Sequence, residues 1–379
     1  MNRVHVASVS LITGLGGFNA TWEGLMSGKS AIKPVTRFAA DRLNGSMATC
    51  IEGLEGERGD RSLVEPILDR LLADFGPVPA DSRLILATTK GAIDYIERIK
   101  RGVDAETEGF MAESLLRNIS CRLGLTATAG GININAACAS STIALGRGAS
   151  LIAHGQVEAV VVCCLDLVSE FVFSGFSALQ GLSRGPCRPF DRGRDGLTLG
   201  EGGAALLLMS EGRLRREDRS SLGTILGWGT ANDANHITAP ARDGCGLIQA
   251  VNQAMKTARV TAGDIAAVNA HGTGTMYNDL MELTAFRTLF SGRQLPIHSV
   301  KGAIGHTLGA AGGIETVVAL RSLAEGVIPP TAGFSELEEG AEGLVSAGPL
   351  EISGDTVLST NSGFGGVNAA LLLGKGECL

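Results

Sequence analysis

Cys138, His271, Lys301, His306, Glu315 and Phe364 are residues of this chain whose types could act together in covalent catalysis. They supply one nucleophile, two imidazoles, one possible ion pair and a glycine turn able to offer backbone N–H groups. Cys138 follows the alternating run Ile132-Asn133-Ile134-Asn135, which reads as a strand, and two small residues, Ala136 and Ala137. After Ala139, Ser140-Ser141-Thr142 opens a run through Ile143, Leu145 and Arg147 that reads as a helix. At a strand-to-helix turn, free N–H groups and the positive helix end favour a thiolate and lower a cysteine's pKa. The same stretch also reads as a small buried cysteine in a tight turn, because free cysteine is among the most buried residue types.

The partners lie in three later clusters. His271 ends an apolar run inside Asn269-Ala-His271-Gly-Thr273-Gly-Thr275. Lys301, His306 and Glu315 share Ser299-Val-Lys301-Gly-Ala-Ile-Gly-His306-Thr-Leu-Gly-Ala-Ala-Gly-Gly-Ile-Glu315. Phe364 sits in Asn361-Ser-Gly363-Phe364-Gly365-Gly-Val-Asn368. Taken singly, the histidine reads as a cap or a solvated turn residue, Lys301 and Glu315 as a buried ion pair, and the last cluster as a plain turn. Taken with Cys138, they are what thioester chemistry requires.

Many short elements must position these residues. Val4–Leu11, Arg83–Thr88, Ala159–Leu165, Ala204–Met209, Ser221–Gly229, Ile265–Asn269 and Asp355–Ser359 read as strands. Ala20–Ser27, Ser62–Phe75, Ile93–Arg101, Met111–Leu123, Gly246–Ala258 and Ala303–Ala324 read as helices, and Val103–Gly109 as an exposed loop. Gly200-Glu-Gly-Gly-Ala-Ala-Leu echoes Gly363-Phe-Gly-Gly-Val-Asn-Ala-Ala-Leu, and the strand–turn–helix at Cys138 echoes the one from His298 to Glu315. The echoes predict a duplicated α/β unit, with halves at 1–215 and 216–379. Continuous apolar strands predict sheets covered on both faces, hence a helix–sheet–helix–sheet–helix layering with glycine-rich helices at the centre.

Composition excludes several classes. A net charge of −7 with no basic run argues against nucleic-acid binding. The eight cysteines form no CxxC pair and no cluster with histidine, which fits free thiols in a reducing cytoplasm and argues against zinc or disulfides. The most apolar stretch, Val157–Leu182, is broken by Glu158, Asp166 and Glu170, too often to span a membrane. The loop Thr13-Gly-Leu-Gly-Gly-Phe is a poor dinucleotide fingerprint, with Asn19 at the third glycine position.

In these motifs the chain resembles the elongating, Cys-His-His β-ketoacyl–acyl carrier protein synthases of the thiolase superfamily. The resemblance extends through Asn19–Phe38 and through Arg188-Pro-Phe-Asp191 to Gly203. It implies the five-layered α-β-α-β-α fold. It also implies roles: Cys138 carries the acyl group, the N–H groups of Cys138 and Phe364 form an oxyanion hole, and His271 and His306 stabilise the enolate left when malonyl thioester loses carbon dioxide. Lys301 and Glu315 would organise the site, Thr273 and Thr275 would bind the pantetheine arm, and Phe364, between Gly363 and Gly365, would gate the acyl side. Asp279 and Glu282 would hold loops, as would Asp191, Arg194, Asp195 and Glu201. No cofactor or metal is implied, because substrates arrive on the phosphopantetheine of an acyl carrier protein. The implied assembly is a homodimer through the Gly131–Asn135 strand, or a heterodimer with a related subunit.

The chain departs from the family at Ser362, where the motif has Phe, and at Val367, where it has Thr, while Thr88–Gly131 is shorter. A specialised polyene or polyketide pathway is therefore as open as fatty-acid elongation. A thiolase would need a second cysteine in the Gly363–Gly366 turn, and an initiating synthase an Asn at His306. A chain-length-factor-like subunit would have lost Cys138. For carrier docking, Arg58, Arg61 and Arg70, or Lys100 and Arg101, could form a basic patch.

Overall fold

The computed structural model describes residues 2–58, 60–103, 107–126 and 131–376. Among the described residues eleven strands build the main sheet, ten in one continuous path and the two-residue strand Gly16–Gly17 paired off the first of them. Five of the ten come from the first half: β1 (Val4–Thr13), β2 (Arg83–Ala87), β3 (Gly131–Ile134), β4 (Ala159–Asp166) and β5 (Gly202–Ser210). Five come from the second: β6 (Gly223–Asn232), β7 (Ala267–Asn269), β8 (Ile297–His298), β9 (Thr356–Gly363) and β10 (Val367–Lys375). The spatial order is β8-β7-β9-β10-β6-β1-β5-β4-β2-β3, so each half follows the same path in mirrored sequence. Directions repeat as well. The first half pairs β2 in parallel with β3 and β4, and β5 antiparallel to β4 and β1. The second does the same with β7 between β8 and β9, and β10 between β9 and β6. Within the main sheet of the described residues, β1 and β6 join the halves, at His5↔Thr224 and Val6↔Gly223. The segment Glu211–Arg216, a short helix on the way from β5 to β6, contains the expected 215/216 boundary.

Strand alternation sends successive side chains to opposite faces. Leu206 and Leu371 therefore enter the central layer, while Leu207 and Leu372 meet outer helices. The outer layer of the first half is α1 (Val64–Ala73) with α2 (Ala112–Arg122). The centre is α3 (Ser140–Ala153) with α6 (Ala311–Glu325), and α4 (Cys245–Ala258) and α5 (Met276–Leu289) cover the second half. The central pair buries Leu145, Ile152, Ile314 and Val317 against both halves. Glycines allow that closeness: a Cβ on Gly312 would lie 1.9 Å from Thr142 Oγ1, and one on Gly313 2.3 Å from Cys164 Sγ.

Two elements differ from expectation. The helix read over Ala303–Ala324 is interrupted: Lys301–Ile304 forms one turn, and α6 begins only at Ala311. Gly305 (φ 67°) and Leu308 (φ 52°) both adopt left-handed backbone, which ends a right-handed helix. His306 lies inside that break. The run that looked merely apolar contains a helix at Glu170–Ala178, capped by the Ser169 side chain accepting from Val172 N. Of the loop read at Val103–Gly109, residues 104–106 lie outside the described residues, as does Cys378, and Thr107–Phe110 forms a 3₁₀ turn.

Candidate active site

Cys138 occupies the turn between β3 and α3. Ala137 before it has φ 50°, a strained conformation for a residue with a Cβ. The turn is pinned by Ala139 N donating to Ala136 O at 3.1 Å and by Ser140 Oγ, which accepts from Ala136 N at 2.8 Å and donates to Ala137 O at 2.6 Å. The β9–β10 turn backs directly onto it, since a Cβ on Gly363 would lie 3.1 Å from Cys138 N. That contact brings the Phe364 N–H to the cysteine sulfur, where it favours the thiolate.

The two histidines converge on the sulfur from the second half. His306 Nε2 lies 2.9 Å from Cys138 Sγ. The His271 ring stands nearly perpendicular to that of His306, at 84° with centroids 5.1 Å apart. The sulfur and one nitrogen of each ring lie within 4.8 Å of one another, a donor set that could also hold a soft metal ion.

Hydrogen bonding fixes the tautomer of His271. Asn361 Oδ1 accepts from the Thr142 hydroxyl, so its amide nitrogen faces the other way. That nitrogen donates to Glu315 Oε2 at 2.7 Å and to His271 Nδ1 at 3.2 Å. Nδ1 is therefore the acceptor, and Nε2 carries the hydrogen. Lys301 completes the support, donating to Glu315 Oε1 at 2.5 Å and to the His271 carbonyl. Glu282 accepts from the N–H groups of His271 at 2.7 Å and Gly272 at 2.6 Å.

Burial sets the protonation states. It holds His271 and His306 well below the ordinary histidine range, with Lys301 adding to the effect on both and His306 adding to that on His271. Both rings are neutral at pH 7. The cysteine departs from the sequence expectation. Burial pushes the Cys138 thiol up to about 12, with Lys301 and the Phe364 N–H opposing and Asp166 and Glu315 adding to it. Loss of water around the sulfur outweighs the turn's dipoles, so the resting group is a thiol beside a neutral imidazole. Burial, then Asp279, likewise pushes Glu282 up to about 8.

A cavity of about 420 Å³ opens onto these groups, lined among others by Cys138, His271, His306, Thr273, Thr275 and Phe364. The Thr273 and Thr275 hydroxyls bond to each other at 2.9 Å along its wall. Asp279 accepts from Phe190 N at 2.8 Å and Gly274 N at 3.3 Å, and Arg194 donates to the Thr275 and Met276 carbonyls at 3.1 and 2.9 Å. Gly365 does not line the cavity; its N–H donates to Ile237 O at 2.7 Å. Phe364 lies 5.6 Å from the Phe176 ring, and both also line a second cavity of about 730 Å³.

Asn361, Asn278 and Phe176 were not anticipated as site residues. Asn361 stood inside a motif already singled out, and Asn278, donating to Glu282 Oε2 at 2.8 Å, adjoined Asp279. The basic candidates are largely neutralised: Arg61 pairs with Asp69, Arg70 with Glu57 and Arg101 with Glu170, while the Arg58 side chain lies outside the described residues.

The chain is similar to known proteins. Residues 89–213 match the family model for the N-terminal domain of beta-ketoacyl synthases, and residues 222–335 match that for the C-terminal domain. The tetracenomycin polyketide synthase ketoacyl synthase alpha subunit of Streptomyces glaucescens is 30% identical, with 98% of each chain aligned. The 3-oxoacyl-(acyl-carrier-protein) synthase 2 of Vibrio harveyi is 26% identical over the same share of each. A chain of the ketosynthase–chain length factor complex from Xenorhabdus doucetiae superposes with a TM-score of 0.82 at 26% identity, covering 99% of this chain and 98% of that one. With both domain models matched in order across the two halves, and a relative aligned nearly end to end, the chain belongs to the β-ketoacyl synthase family.

Proposed function

We propose that the chain elongates an acyl thioester by decarboxylative condensation with malonyl–acyl carrier protein, in fatty-acid or polyketide synthesis. The observation that carries this reading is His306 Nε2 at 2.9 Å from Cys138 Sγ, with two neutral imidazoles side by side. Cys138 Sγ attacks the acyl carbonyl carbon, and the N–H groups of Cys138 and Phe364 hold the resulting oxyanion. Collapse breaks the thioester C–S bond, and the departing pantetheine sulfur takes the thiol proton. Malonyl thioester then loses carbon dioxide; the electron pair of the broken C–C bond passes into the thioester carbonyl as an enolate. Nε2–H of His271, with that of His306, donates to the enolate oxygen. The enolate carbon attacks the acyl-Cys138 carbonyl, expelling the cysteine thiolate, which regains a proton from solvent. The product is a β-ketoacyl thioester two carbons longer.

Lys301 and Glu315 hold His271 in place, Thr273 and Thr275 bind the pantetheine arm, and Phe364 with Phe176 separates the acyl and malonyl sides. The fold is shared with chain length factors, but Cys138 beside both histidines supports an active subunit, as a homodimer or within a heterodimer. Among the described residues no helix is long and apolar enough to cross a membrane, and a cytoplasmic site suits a free catalytic thiol.

Intact-mass spectrometry after mixing with a panel of acyl-carrier proteins tests the reading. An acyl adduct that Cys138→Ala abolishes, and that malonyl-carrier protein releases as a longer product, is the expected result; the preferred donor reports chain length. A folded protein that takes no acyl group alone but does so with a related subunit would favour the heterodimer. Failure with and without such a subunit would overturn condensation.

A further inference from the structure

Asp166 is a buried carboxylate that the condensation steps leave unused. It ends β4, whose residues are all buried, and it is only 1% exposed. No cation pairs with it among the described residues. Its bonding instead comes from two loops. Oδ1 accepts from the Thr88 hydroxyl at 2.8 Å, Thr89 N at 3.1 Å and Lys90 N at 3.3 Å. Oδ2 accepts from the Thr89 hydroxyl at 2.9 Å, from Thr89 N at 3.1 Å and from Gly309 N at 2.7 Å.

Gly309 belongs to the turn that follows His306. That turn holds Leu308 at φ 52°, which a branched side chain avoids, so the conformation needs an outside anchor. Space there is tight: a Cβ on Gly309 would lie 2.8 Å from Asp166 Oδ2 and 3.2 Å from Thr89 N. The other loop reaches towards the nucleophile and towards the acyl side. Asn135, three residues before Cys138, donates to Thr89 O at 3.0 Å, and Lys90 lines the second cavity.

We propose that Asp166 is a positioning residue for the condensation, its carboxylate clamping the Thr88–Lys90 loop to the turn after His306 and so fixing the His306 ring against the Cys138 sulfur. Burial raises the Asp166 carboxyl above the usual carboxylate range, opposed by the bonds from Thr88, Thr89 and Gly309. At the high pH where Cys138 ionises, the Asp166 charge opposes that ionisation, and the sulfur is faced in addition by His271, His306, Lys301 and Glu315. The inference rests on the condensation reading only for its turnover arm, because alkylation of Cys138 needs no substrate.

Asp166→Asn keeps the size of the side chain, removes its charge and turns a donor towards N–H groups. The expected result is a fall in kcat on the order of ten- to a hundredfold with little change in KM. The pH profile of Cys138 alkylation should move to lower pH, which a merely structural role would not produce. Asp166→Glu should restore the wild-type alkylation profile. If Asp166→Asn does not fold, Thr89→Val removes one bond and leaves the charge; it should lower kcat more modestly and leave the alkylation profile in place. Unchanged kcat in a folded Asp166→Asn or Thr89→Val protein, or an unshifted profile in the former, would overturn the proposal.

Discussion

At the scale of single residues, the site depends on groups kept neutral until the reaction needs charge. A thiol pushed up to about 12 has little thiolate at pH 7, so in the proposed reaction Cys138 would have to gain its nucleophilicity from substrate and histidine contacts at the moment of attack. Iodoacetamide alkylation of the free protein, followed by mass spectrometry, should therefore be slow at neutral pH and rise well above the ordinary thiol midpoint. A midpoint below about 8 would show that the turn's dipoles prevail over burial. His271→Ala should separate the two half-reactions. It removes the fixed Nε2 donor at the enolate, so condensation should fall by about a hundredfold or more while the acyl adduct on Cys138 still forms. Loss of both together would place His271 in acylation instead. The types of these residues were legible in the sequence because each stood in a glycine-rich motif. The protonation state of Cys138 was not, since it depends on water removed by segments hundreds of residues away. Asn361 was hidden for a related reason: its role appears only when Thr142, Glu315 and His271 surround it.

At the scale of elements, what positions the site is the contact of α3 with α6. Gly312 faces Thr142 Oγ1 and Asn361 Oδ1 so closely that a Cβ would lie 1.9 and 2.7 Å from them. Gly312→Ala must displace α3, Asn361 or both. It should cost about 1–3 kcal/mol in urea unfolding and reduce condensation through the disturbed Asn361–His271 bond. Wild-type stability together with wild-type turnover would show that the two helices can separate freely. The duplicated path was legible from two short echoes because β5 and β10, and the turns after β3 and β8, occupy equivalent places in each half. The break at Gly305–Ala310 was not. Its small, apolar residues fit a helix by pattern, and the turn with the left-handed Leu308 is anchored from outside by the bond from Gly309 N to Asp166. Helix Glu170–Ala178 escaped for the opposite reason, because a short run buried unevenly carries little periodicity.

At the scale of the whole molecule, burial of neutral imidazoles should make the fold sensitive to acid. His271 and His306 are held well below the ordinary range, and burial lowers His298 to about 3, with no partner for either ring nitrogen among the described residues. Their folded-state values are depressed, so the stability they contribute is present above the unfolded value of about 6.5 and lost as pH falls through and below it. Unfolding free energy should drop between pH 7 and 5, and His298→Leu should flatten the slope, by about 1.4 kcal/mol per pH unit at the acid end of that range where the unfolded side chain binds a full proton. An unchanged slope would mean that His298 is charged or hydrated in the folded state. The molecule also has an edge on which the proposed dimer would form. Among the described residues β3 ends the sheet and pairs with β2 alone, which leaves its other edge without a strand partner there and Ile132 41% exposed. Native proteins rarely leave such an edge uncovered. The strand feeds directly into the Cys138 turn, so a second subunit pairing there would hold the nucleophile as well as the sheet. Light scattering at micromolar concentration should give twice the mass of one chain. Ile132→Asp would set like charges against each other across a two-fold axis, so it should halve that mass and lower turnover without abolishing alkylation of Cys138. A wild-type chain that is monomeric by itself and fully active would remove the edge from any role in the site, whereas one that is monomeric and inactive until a related subunit is added would assign the edge to that partner.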